Sequence, residues 1–113
     1  MTEIDYETAL ERVGGDRELL AELAAMFEED YPRLLNEARA GLRAGEMEAV
    51  CSGAHQLKGL LAQFSAGRAR DAALMLETAG RAGDVKAAGE ALAHLEWLMD
   101  KVQPELHAMS LGG

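Results

Sequence analysis

Apolar residues recur along this chain at steps of three and four, and no run shows the alternation of a strand. The clearest stripes are Leu20, Leu23, Phe27, Tyr31, Leu34, Ala38 and Leu42, and later Val85, Ala88, Leu92, Leu95, Met99 and Val102. Each predicts a helix with one buried face. Asp5 caps a short first helix, which Gly14-Gly15 closes after Val13, and Asp16 caps a second that Gly45 stops after Ala44. Pro32 lies inside the second stripe and removes one backbone donor. The stripe keeps its phase across Pro32, which favours one bent helix over a break near Tyr31. A third helix is predicted from Glu46 to about Ala66, ended by Gly67, and a fourth from Arg68 to Arg81, burying Ala69, Ala72, Leu76 and Ala79. Gly83 stops the fourth and Asp84 caps the fifth. Pro104 should end or bend the fifth, leaving 103–113 as a short, partly disordered extension. The expected fold is all-α: an up-down four-helix bundle with an additional short N-terminal helix across one end.

Composition narrows the function classes. A chain of 113 residues is one domain, 1–113, with a core expected over about 5–102. The hydrophobic share is 49% but aromatics are only 4%, so the core is aliphatic, with the six methionines read as filler. No apolar run reaches the roughly 18 residues of a membrane span. The N-terminus, Met1-Thr2-Glu3-Ile4-Asp5, lacks the basic-then-apolar layout of a signal peptide. The single cysteine, Cys51, excludes an intrachain disulfide and points to a reducing compartment, hence the cytoplasm. A net charge of −9 argues against nucleic acid as a partner. Residues 1–50 carry 13 acids and 5 bases, net −8, whereas residues 51–113 carry 7 acids and 6 bases, net −1. Glu28-Glu29-Asp30 reads as a solvated acidic face. Chemistry is expected where the acid excess stops.

The third helix breaks the bundle rule. At 100° per residue, Val50, Gly53, Leu57, Leu60, Leu61 and Phe64 form its core stripe. The opposite face carries Glu48, Cys51, Ser52, His55, Lys58, Gly59, Ala62 and Ala66. Long charged side chains normally fill such a face, yet here an outward histidine stands among small ones. Gly59 in mid-helix costs about 1 kcal/mol relative to alanine, which suggests that clearance around the imidazole is wanted. A neutral imidazole is a nucleophile near physiological pH, and a lysine at i+3 can meet phosphoryl oxygens. His94 and His107 read as ordinary surface residues. Cys51 and His55 share an i, i+4 spacing, but two ligands without a second pair do not close a metal site, so no metal is expected.

The run Ala54-His55-Gln56-Leu57-Lys58-Gly59, followed by Phe64-Ser65-Ala66, resembles the signature of histidine-containing phosphotransfer (HPt) domains. The resemblance extends through Leu76-Glu77, Gly80-Arg81 and Gly83-Asp84, and fits Phe27-Glu28-Glu29-Asp30-Tyr31-Pro32 and Ala44-Gly45-Glu46. It implies a monomeric carrier, not an enzyme, that moves a phosphoryl group between receiver-domain aspartates of a bacterial-type two-component phosphorelay. Its implied partners are response-regulator receiver domains and a hybrid histidine kinase. His55 would be the phosphorylated residue, through Nε2, with Lys58 near the phosphoryl group and Glu77 hydrogen-bonded to the other ring nitrogen. Cys51, Ser52, Gly59 and Ala62 would meet the partner. No cofactor is implied beyond Mg²⁺ in the partner's aspartate pocket. Two positions depart from the family pattern. Leu60-Leu61 stand where small residues are usual, and Ser65 replaces a usual glycine, leaving the end of the third helix open. Two other readings stand beside this one: a bundle-type adaptor or kinase regulator that binds without phosphotransfer, and the phosphoryl-accepting part of a longer chemotaxis-type kinase.

Overall fold

The computed structural model describes residues 2–112. Helices α1 (Tyr6–Arg12), α2 (Arg17–Ala44), α3 (Met47–Gln63), α4 (Gly67–Ala82) and α5 (Val85–Ser110) account for nearly all of them, with no strand among the described residues. The aspartates do the expected work at three N-termini. Asp5, Asp16 and Asp84 accept from the backbone N–H groups of Thr8, Leu19 and Ala87, satisfying donors that have no partner within the helix. Gly45 and Gly83 end α2 and α4 in the left-handed conformation, φ 72° and 69°.

Each of the four long helices buries a face against two others: α2 packs on α3 and α5, and α4 packs on α3 and α5. The α3–α4 contact is the most extensive, and α1 makes only a slight contact with α2. The 28 residues of α2, at about 1.5 Å each, match the 41 Å long axis. The core is aliphatic, as expected, apart from Phe27 stacked on Phe64 at 5.3 Å, with Tyr31 edge-on to Phe27 at 5.8 Å. α2 runs unbroken through Pro32, whose side is exposed.

Several expectations need correction. α3 ends at Gln63, and Gly67 is the first residue of α4 rather than the stop of α3. The turn is made by Ser65, at φ 54°. Its carbonyl accepts from Asp5 N–H at 3.1 Å and its hydroxyl from Arg12 Nε at 3.3 Å, so α1 holds a serine where a glycine would sit without strain. Ala66, assigned to the open face of α3, is fully buried. Val85, at the head of the last stripe, is exposed, as are Met26 and Met75, so these two methionines are not filler.

The largest correction concerns the C-terminus. α5 continues through Pro104 to Ser110 and is not a fraying extension after Val102. A proline costs the helix one hydrogen bond, and tertiary contacts offset that loss here. Leu106 and Met109 are buried. Glu28 of α2 accepts from Gln103 Nε2 at 3.1 Å, His107 Nδ1 at 2.7 Å and Ser110 Oγ at 3.1 Å. Glu28 is therefore a tether between α2 and α5, not part of a solvated acidic face. At its other side Glu105 accepts from the backbone N–H groups of Glu3 and Ile4.

Leu106→Ala should lower the unfolding free energy by about 2–5 kcal/mol, the range for a fully buried leucine. Denaturant melts read the change, and a loss below about 1 kcal/mol would mean that the end of α5 lies outside the cooperative core.

Candidate functional site

The site is assembled on the α3–α4 seam. Leu57 and Leu61 are buried and orient α3, which leaves His55, two residues before Leu57, on the outer side. The His55 side chain is 66% exposed. Alanines Ala69, Ala72, Ala73 and Ala79 line the buried side of α4 and let the two helices approach. Gly80 lies hard against α3. A Cβ there would lie 3.0 Å from the backbone nitrogen of Cys51 and 3.2 Å from its Cα. Cys51 thus packs against α4 with its own backbone and is half-buried, so it contributes to the seam more than to the open surface.

This close approach brings Glu77 of α4 under the imidazole. Glu77 is 2% exposed, the one buried charged residue among those described. Its Oε2 lies 2.6 Å from His55 Nδ1 and its Oε1 accepts from Lys58 Nζ at 2.7 Å. Arg81, one turn further along α4, reaches Oε2 with Nη2 at 3.3 Å. The three partners satisfy both carboxylate oxygens, which an uncompensated buried charge would not allow. The Lys58 hydrogen bond is the main reason that the Glu77 carboxyl is held below the ordinary value of 4.5. Burial opposes the shift, and the His55 hydrogen bond reinforces it.

An ionised carboxylate only accepts hydrogen bonds. The Nδ1 contact therefore places the ring hydrogen on Nδ1, and in the neutral ring the lone pair is on Nε2. The side chain that carries it faces solvent beside Gly59, where an added Cβ would meet nothing within 4 Å. Ser52 is exposed and Ala62 half-buried on the same helix. Of the residues singled out from sequence, His55, Lys58 and Glu77 come together directly. Glu77 is buried. Lys58 is engaged with Glu77. Arg81 was missed as part of this cluster, although its i+4 spacing from Glu77 is visible in the sequence.

The other histidines are placed differently. His94 stacks on Trp97 with ring centres 5.9 Å apart, and His107 belongs to the Glu28 tether. No helix is long and apolar enough to cross a membrane among the described residues.

A family model described as Hpt domain matches residues 22–105, and so takes in the whole α3–α4 site. There is no match among curated proteins. There is none among solved structures.

The two glycines predict opposite outcomes. Gly59→Ala should stabilise the protein by up to about 1 kcal/mol, since the backbone is helical and the space open. Gly80→Ala should destabilise it, because the new methyl meets backbone that cannot turn aside. Thermal melts of the two variants decide, and the same sign for both would refute the packing described.

Glu77→Gln should cost about 1–3 kcal/mol at neutral pH, through lost charge-assisted hydrogen bonds. Because the folded-state value is depressed, this stabilisation is fully present above pH 4.5, the ordinary value, and is lost as pH falls through the folded value. The gap between wild type and variant in denaturant melts should therefore narrow in acid. A gap that widens in acid would contradict the ion cluster.

Proposed function

Because the chain belongs to the Hpt domain family, we propose that it is a phosphorelay carrier that accepts and donates a phosphoryl group at His55. The observation that carries the reading is the contact of Glu77 with Nδ1 at 2.6 Å beneath a ring whose other side is open. The four long helices then form an up-down bundle whose role is to present this ring. The partners are receiver domains of response regulators and of a hybrid histidine kinase, and the carrier acts as a cytoplasmic monomer.

The lone pair of Nε2 attacks the phosphorus of an aspartyl phosphate on the receiver. The P–O bond to the aspartyl carboxylate breaks, its electron pair returning to that carboxylate, while the Nε2–P bond forms. The ring becomes a cation and keeps its hydrogen on Nδ1. Glu77 is placed to stabilise that cation, and Lys58 lies one turn from the incoming oxygens. The reverse step hands the group to a second aspartate. Any Mg²⁺ would sit with the aspartate of the receiver. Phosphoryl transfer through a loose transition state asks for positioning and charge neutralisation, which this chain's residues supply around Nε2. Exposed Ser52 and the gap at Gly59, with Ala62 beside them, are where the receiver's pocket would descend; Cys51 backs this face through its contact with Gly80.

Incubation with a ³²P-labelled receiver domain should transfer label to this protein, stable in base and labile in acid. His55→Gln should abolish it, whereas His94→Gln and His107→Gln should retain it. Binding without label transfer would identify an adaptor instead, and base-labile label would place the phosphoryl group on a carboxylate.

A further inference from the structure

Arg81 neither attacks nor carries the phosphoryl group, but the geometry around Glu77 gives it a part in the transfer. That part rests on His55 being the phosphoryl carrier. Glu77 is sealed from water, so it needs cations at every stage. The charged groups facing it are His55 and Lys58 from α3 and Arg81 from its own helix. Their hold is unequal. Lys58 is close, at 2.7 Å, and partly shielded, with 29% of its side chain exposed. Arg81 is at 3.3 Å, with 68% exposed.

Lys58 cannot serve two anions equally well. When a phosphoryl group arrives at Nε2, its oxygens compete with Glu77 Oε1 for the one ammonium, which rides on a flexible four-carbon stem. If Lys58 turns to the phosphoryl group, Oε1 loses its partner. Arg81 is already on Oε2 and always charged, and its guanidinium has donors to spare in a planar fork suited to a carboxylate.

We propose that Arg81 is a positioning residue that takes over the Glu77 carboxylate when Lys58 moves to the phosphoryl group, so that Nδ1 stays anchored throughout the transfer. A surface ion pair at i, i+4 without such a role would affect neither the ring nor the transfer.

The first test needs no phosphodonor. In the full chain, Lys58→Met mimics the departed ammonium. The His55 tautomer is read by nitrogen-15 NMR at a pH where the ring is neutral. Lys58→Met alone should keep the hydrogen on Nδ1. Adding Arg81→Met should release it into a mixture, and adding Arg81→Lys should restore it in large part. Loss of the tautomer in Lys58→Met alone would overturn the proposal, whether or not the double variant folds. Retention in a folded double variant would equally overturn it.

The second test uses a phosphorylated receiver. Arg81→Met should slow transfer by about tenfold, as expected for one lost charge-assisted hydrogen bond. Binding of the unphosphorylated receiver should stay within about twofold, and Arg81→Lys should recover most of the rate. Equal losses in rate and binding would make Arg81 a docking contact and overturn the proposal. If wild type accepts no phosphoryl group, the carrier reading fails, while the tautomer experiment still decides what Arg81 does to Glu77.

Discussion

A buried carboxylate is the constraint around which the α3–α4 half of this molecule is arranged. Glu77 sits almost wholly out of water, and a charge in that position is tolerable only with partners at hydrogen-bond distance. Its partners come from both helices, so the ion cluster and the seam between α3 and α4 depend on one another. Separating the helices would strand the charge, and neutralising the charge would remove the polar link across the seam. Hydrogen bonding to an imidazole is the functional by-product of that mutual dependence. The carboxylate decides which ring nitrogen carries the hydrogen, and the helix geometry decides which one faces outward.

The packing that makes this possible is built from absent side chains. Gly80 and the alanines of α4 bring its backbone onto that of Cys51. Gly59 leaves space on the other side of the ring. The same residue type therefore does opposite work on two neighbouring helices, closing a seam in one place and opening a surface in the other. The rest of the bundle supplies rigidity. The tethers of Glu28 to the end of α5, and of Glu105 to the N-terminal segment, hold the long helices in register at the end remote from the α4–α5 turn.

Much of this was legible from the amino-acid order. Aspartate caps, terminal glycines and a three-four apolar rhythm placed the starts of all five helices and the ends of α1, α2 and α4 to within a residue or so, because those signals are local. The outward histidine among small neighbours was legible because helical periodicity alone assigns faces. Failures came where distant residues decide. Pro104 reads as a breaker, and only contacts from Glu28 on another helix explain why α5 ignores it. Ser65 adopts a left-handed turn because α1 bonds to it across the chain. The burial of Glu77 was invisible for the same reason: its neighbours in sequence do not cover it, and α3 does. Arg81 was within reach of local reasoning, since i+4 pairing is a helix rule, but it mattered only once Glu77 was known to be buried.

Glu77 fixes the His55 ring with its hydrogen on Nδ1 and its lone pair on Nε2. Long-range nitrogen-15 to proton NMR correlations of the wild-type protein, at a pH where the rings are neutral, test it most directly. A single Nδ1–H tautomer is expected for His55, distinct from the behaviour of His94, whose ring meets no carboxylate among the described residues. A predominantly Nε2–H ring at His55, or a tautomer mixture like that of His94, would contradict it.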